Sequence, residues 1–117
     1  MDSAHIQIAE VEGVADLLQR LFWKQPQMAG KAVEFLDYIR QWGRSETPYR
    51  VDQWENYCER HGITQSKYHN MLKRLKRAGM IEKKYNKTKK THELFLSEGF
   101  SERLESMTSA WDNFRKN

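Results

Sequence analysis

Residues 63–81 read ITQSKYHNMLKRLKRAGMI, and this stretch decides the fold. Thr64 is a natural N-cap, because its hydroxyl can accept from a backbone N–H that the first helical turn leaves orphaned. Gly79 suits the other end, where a left-handed residue commonly closes a helix. Between them Tyr68, Met71, Leu72 and Leu75 recur at three- and four-residue steps, which predicts a helix over 64–78 with one apolar face. At 100° per residue, the opposite face carries Ser66, His69, Asn70, Lys73 and Arg77. That face is cationic and rich in groups that can hydrogen-bond base edges.

Downstream the period changes from helical to two. Ile81, Lys83 and Tyr85 alternate with Glu82 and Lys84; after Asn86-Lys87-Thr88-Lys89, His92, Leu94 and Leu96 alternate with Thr91, Glu93 and Phe95. This predicts a β-hairpin over 81–96 with a lysine-rich tip. From Ser101 the helical period returns. Leu104, Met107, Trp111 and Phe114 mark a helix over 101–115, with Phe100 one step before them.

Upstream, Gly62 ends a short helix at about 53–60, whose start at Asp52 and Glu55 resembles a capping box. Its inward residues are Trp54, Tyr57 and Cys58. The stretch Ser45 to Tyr49, with Pro48, reads as a loop. A longer helix from about Gly30 to Trp42 carries the stripe Ala32, Phe35, Leu36, Ile39 and Trp42, with Gly43 as its stop. Residues 10–24 form an amphipathic helix through Val11, Val14, Leu17, Leu18, Leu21 and Phe22. Gly13 weakens its first turn, and Pro26 bars its continuation. Ile6 and Ile8 alternate and fit strand or helix equally. Trp23, Trp42, Trp54 and Trp111 mostly fall on apolar stripes, as core or interface residues do. The fold class is therefore mostly α with a small β-hairpin (α+β), in one domain over 1–117.

Charge is unevenly placed. The chain carries +4 in all, yet Lys67 to Lys90 holds ten bases against Glu82 alone. That segment is +9 and the remainder −5. Clustered like charge raises the free energy of an isolated fold and points to a polyanionic partner. A solvated lysine-rich face is the bland alternative, and placement on one surface decides between them.

Helix, short helix, tight turn, basic helix, glycine and basic hairpin, in that order, resemble the winged helix-turn-helix family. The likeness is closest to MarR-like and PadR-like regulators of bacteria and archaea. It rests on Ile63-Thr64-Gln65-Ser66-Lys67-Tyr68, on Met71 to Ile81, and on the hairpin ending Leu94-Phe95-Leu96-Ser97, and spans residues 30–97. The resemblance implies a winged helix-turn-helix with extra N- and C-terminal helices, in which 64–78 is the recognition helix and 81–96 the wing. It also implies sequence-specific or semi-specific binding of double-stranded DNA by a cytoplasmic, nucleoid-associated transcription regulator. Gln65, Ser66, Lys67, His69, Asn70 and Lys73 would meet the major groove. Asn70 and Gln65 have the amide that can pair bidentately with adenine. Lys73, Arg74, Lys76, Arg77 and the wing lysines Lys84, Lys87, Lys89 and Lys90 would neutralise phosphate, fixing register without reading sequence. MarR-like wings usually carry Asp-Arg-Arg; here Lys87, Thr88, Lys89 and Lys90 stand in that region, and lysine is a point charge suited to phosphate.

The same resemblance implies a homodimer through the terminal helices, with Leu17, Leu21, Leu104, Met107, Trp111 and Phe114 at the interface. Bundling of those stripes onto the chain's own core is the alternative. Winged helices also serve as protein-interaction or architectural modules, which bind DNA with little sequence preference or not at all. A protein-interaction helix would present an apolar or acidic outer face, whereas this one is basic.

Other classes find little support. Cys58 is the single cysteine, so an internal disulfide is excluded, and a reducing compartment is expected. Cys58 and His61 have C-x-x-H spacing but lack a second pair, so no metal and no cofactor are expected. No nucleophile, phosphate loop or oxyanion arrangement marks an enzyme. No apolar run approaches the roughly 18 residues of a membrane span, and the N-terminal MDSAHIQIAE lacks the pattern of a signal peptide.

Overall fold

The structure, a computed structural model, describes residues 11–22 and 24–117. The expectations at Ile6, Ile8, Glu10 and Trp23 lie outside the described residues. The elements are α1 (Val14–Leu21), α2 (Pro26–Gly43), α3 (Trp54–His61), α4 (Gln65–Ala78), β1 (Ile81–Asn86), β2 (Thr91–Leu96) and α5 (Gly99–Lys116). A 3-10 turn, Val51–Gln53, leads into α3. The fold is mostly helical with one antiparallel two-stranded sheet, an α+β arrangement. The chain divides into two compact units that meet within α2, at Tyr38 and Ile39.

In the first unit α1 is shorter than the expected 10–24. The extended backbone at Gly13 keeps the preceding residues out of the helix. Asp16 in its first turn accepts from the backbone N–H of Glu12 at 3.2 Å and pairs with Arg20 one turn on. Leu18 and Phe22 are buried, Leu17 and Leu21 half-buried, and Val11 and Val14 exposed. Pro26, expected only as a stop, also opens α2, so that helix starts four residues before Gly30. At a first helical position proline loses nothing, since the missing N–H would have had no partner. Met28, Ala29, Ala32, Phe35 and Leu36 are buried along it.

In the second unit the expected loop over residues 45–49 is present, and it leads into a bridge to β2 at Arg50. Ser45 Oγ donates to the Trp42 carbonyl at 2.7 Å and accepts from the Thr47 N–H at 3.1 Å, turning the chain after α2. Tyr49 and Arg50 then run beside β2: Leu94 N–H donates to the Tyr49 carbonyl at 3.0 Å, and Arg50 bridges Glu93. The expected Asp52 and Glu55 capping box is replaced by a turn that begins earlier. There the Gln53 side chain accepts from the Arg50 N–H at 3.0 Å.

The added segment changes the burial of the hairpin. Strands β1 and β2 pair in the register Ile81↔Leu96 to Asn86↔Thr91. Neighbouring residues on a strand point to opposite faces, yet Glu93 and Leu94 are both buried, at 6% and 0% exposure. Both faces of β2 are therefore covered at this level. Leu94 shares the interior of the unit with Ile81, Tyr68, Met71, Leu72 and Leu75.

The start of α5 is tied to the end of α4. Phe100 N–H donates to the Gly79 carbonyl at 2.8 Å, and Ser97 N–H to the Met80 carbonyl at 2.9 Å. Gly79 has φ +84°, and a Cβ there would lie 2.9 Å from backbone atoms of Gly99 and Phe100. Past its first turn α5 is almost wholly exposed, including Leu104, Met107, Trp111 and Phe114. Among the described residues no helix is long and apolar enough to cross a membrane.

Candidate nucleic-acid interface

Helix α4 is built as its sequence predicts. Thr64 Oγ1 accepts from the Lys67 N–H at 3.2 Å, capping the first turn, and Gly79 closes the last in the left-handed conformation. Tyr68, Met71, Leu72 and Leu75 are buried. Gln65, Ser66, Lys67, His69, Asn70, Lys73, Arg74 and Arg77 are all exposed. One helix thus separates its apolar and its polar residues onto two faces, and the polar face is open to solvent.

Aromatic packing holds α4 against α3. The Tyr68 and Tyr49 hydroxyls are 2.7 Å apart within the core. Burial pushes the Tyr68 phenol up to about 12, against the smaller downward pull of that hydrogen bond. Trp54, expected inward, is half-buried and lies beside His69, with ring centroids 5.3 Å apart. His69 also meets the edge of Tyr68 at 5.3 Å. Its ring is therefore positioned by the seam between the two helices while one side remains in water.

The hairpin supplies a second basic element. Its tip, Lys87 to Lys90, is exposed and shaped by Asn86, whose Oδ1 accepts from the Lys89 N–H at 3.0 Å. Lys90 takes a positive φ of 54°, unusual for a side chain other than glycine. Lys89 Nζ donates to the Glu46 carbonyl at 3.4 Å, a weak tether between the tip and the segment before Tyr49. Lys84 lies 3.4 Å from the Glu82 carboxylate and 5.3 Å above the Phe95 ring. Lys83, absent from the sequence-derived contact set, comes near α4. Partial burial, and then the charge of Lys83, lower the pKa of Lys76. A lysine on the hairpin and one on the helix thus feel each other, so the two basic segments are neighbours in space. Both were visible in the sequence as charge, but their proximity depends on the fold.

Sequence reasoning also missed a cavity of about 290 Å³ lined by Trp42, Thr47, Pro48, Arg50, Gln53, Lys89 and Glu93. Its walls come from segments far apart in the chain, so no local motif announces it. Asn86 Nδ2 donates to Glu93 at 3.3 Å beside it. The Cys58 thiol is buried, which raises its pKa, and His61 stacks on Tyr57 at 4.1 Å. No group of three or more metal-ligating side chains comes together among the described residues.

Compared with known proteins, residues 12–114 match the profile of an archaeal family. The chain belongs to this archaeal family. The match runs from just before α1 almost to the end of α5, so the helices flanking the α3–α4–hairpin segment are part of what defines the archaeal family. No curated protein and no solved structure matches the chain.

Proposed function

We propose that this protein binds double-stranded DNA, with α4 as a recognition helix in the major groove and the β1–β2 tip on the flanking backbone or minor groove. The observation that carries the reading is the partition of α4. Its apolar side chains are buried, while Gln65, Ser66, Lys67, His69, Asn70, Lys73, Arg74 and Arg77 remain exposed. Three features support the arrangement as a winged helix-turn-helix. These are the tight Gly62–Thr64 connection from α3 to α4, the hairpin that follows α4, and the bridge from Arg50 to Glu93 on β2. A B-DNA major groove is about 12 Å wide and admits one helix. Asn70 and Gln65 carry sequence readout, and Lys73, Arg74, Arg77, Lys87, Lys89 and Lys90 carry phosphate neutralisation.

In this reading the protein is a cytoplasmic, nucleoid-associated transcription regulator that binds rather than catalyses. A second copy completes it, because two recognition helices on one duplex favour two-fold-related half-sites. The terminal-helix interface is reduced on the N-terminal side. Leu17 and Leu21 are half-buried, whereas Leu104, Met107, Trp111 and Phe114 are exposed.

Gel shifts comparing random duplex, selected duplex and RNA over a range of salt test this function. If about six phosphates are neutralised, log K falls against log salt with a slope of about −5. Duplex affinity that is absent or indifferent to salt overturns the proposal. A specificity ratio near one reassigns the protein to an architectural or replication role.

A further inference from the structure

We propose that the cavity between the end of α2 and the hairpin tip binds a small zwitterion, an α-amino acid with an apolar side chain. Its volume of about 290 Å³ is at the small end of ligand pockets, which run from about 300 to 1,000 Å³. The guest is correspondingly small.

Glu93 carries the assignment. It is 6% exposed and lines the cavity, and its carboxylate accepts from Asn86 Nδ2 at 3.3 Å. Among the described residues no ammonium or guanidinium pairs with it. Arg50 stands directly opposite Glu93 in an antiparallel bridge. Side chains so placed leave the sheet on one face, with Cβ atoms about 4.5–5.5 Å apart. This pair of opposite charges nevertheless does not close. Arg50 turns its Nε to Asp52 at 3.3 Å, and the cavity lies between. A carboxylate this deep is costly to hold without a positive partner, and an ammonium entering the cavity supplies one.

The cations stand farther out. Arg50 and Lys89 line the same cavity and are exposed. With Asp52 at Nε, the terminal nitrogens of Arg50 remain to take a carboxylate in bidentate fashion. Lys89 Nζ is tethered at 3.4 Å to the Glu46 carbonyl, a long bond that exchanges readily for a charged acceptor. Trp42 and Pro48, both half-buried, form an apolar wall. An amine alone would satisfy Glu93 and face two cations; an anion alone would satisfy those and approach Glu93. An α-amino acid presents both charges one carbon apart and leaves its side chain to Trp42 and Pro48.

Lys89 is also a tip lysine assigned to phosphate. An amino acid that holds it withdraws it from the duplex, so the two ligands oppose each other. This consequence rests on the DNA-binding reading; the site itself does not.

The experiment is titration calorimetry on the full chain without DNA, near neutral pH, with glycine, L-leucine and L-phenylalanine as probes. L-Phenylalanine methyl ester keeps the ammonium alone, and N-acetyl-L-phenylalanine the carboxylate alone. Leucine or phenylalanine is expected to bind at millimolar concentration. Glycine, the ester and the acetyl compound should bind about tenfold or more weakly, the scale of one charge-assisted hydrogen bond. Glu93→Gln keeps the size and the acceptor for Asn86, and should weaken binding by a similar factor. Arg50→Met changes an exposed side chain and should do the same, so the site is tested even where Glu93→Gln fails to fold. No binding by any of the three amino acids, equal binding by the ester or the acetyl compound, or undiminished binding in the folded variants overturns the proposal. In the gel shift, phenylalanine should weaken duplex binding by the wild type and not by Glu93→Gln. Unchanged duplex affinity in saturating phenylalanine overturns the opposition of the two ligands. A chain that binds no duplex leaves the calorimetric result standing.

Discussion

The hydroxyls of Tyr49 and Tyr68 lie 2.7 Å apart in a buried hydrogen bond that joins the segment before α3 to α4. Tyr49 also accepts from the Leu94 N–H through its carbonyl, so one residue links α4, the hairpin and the segment after α2. Removing either hydroxyl deletes this buried bond, which costs about 1–3 kcal/mol. Tyr68→Phe and Tyr49→Phe should each destabilise the fold by that amount in urea unfolding. The double variant should cost less than the two together, because the one shared bond is lost in either single variant. Additive losses would show that the two hydroxyls act independently.

Tyr68 also sets an alkaline limit. Its pKa is raised by burial from 10.0 in the free side chain to about 12 in the fold. The folded state therefore holds the phenolic proton more tightly than the unfolded chain. Its contribution is complete below pH 10 and is lost as pH rises toward 12. Urea midpoints should fall over that window, and Tyr68→Phe should flatten the fall. An identical pH profile in the variant would assign the alkaline loss to other groups.

Much of the second unit was legible because its signals are local. Thr64 and Gly79 bracket α4 through interactions that span only a few residues, and the alternation from Ile81 to Leu96 needs only its own pleat. The exposed residues of α4 follow from angular position alone. What the sequence hid was non-local or ambiguous in kind. The bridge at Arg50 left no trace because a one-residue pairing has no period; its partner, Glu93 on β2, lies more than forty residues away. Glu93 looked like the solvent side of an alternating strand and is buried for the same reason. Pro26 excludes one helix and starts the next, and its chemistry alone does not say which role dominates. The proximity of Lys76 and Lys83 was likewise invisible, since it depends on how the hairpin folds back beside α4.

Two glycines with left-handed backbones should respond differently to a methyl group. Gly62 has φ +62° with open space where a Cβ would stand; Gly79 has φ +84° with backbone atoms of Gly99 and Phe100 2.9 Å from that point. Gly62→Ala meets only the conformational penalty, about 1–2 kcal/mol. Gly79→Ala meets that penalty and must also push the root of α5 away from α4. Chemical denaturation should therefore rank Gly79→Ala as clearly more destabilising. Equal losses would mean that the α4–α5 junction yields without cost.

Reversing the hairpin tip and trimming the α4 face should damage DNA binding in distinguishable ways. Lys89 and Lys90 are exposed, and Lys89 is tethered to another segment by a 3.4 Å hydrogen bond to Glu46, so the double change to glutamate leaves the core intact. If they neutralise phosphate, affinity for random and preferred duplex should drop together, and the salt slope should shrink by about 2. Asn70 is exposed in the first half of α4, where an amide can read an adenine edge. Asn70→Ala should cost about 1–3 kcal/mol on the preferred site, leaving random duplex and the salt slope unchanged. The two variants share no contact, so their effects on the preferred site should add. If Lys89→Glu with Lys90→Glu leaves affinity for random duplex intact, the hairpin does not touch the backbone. Binding must then be sought on α4 alone.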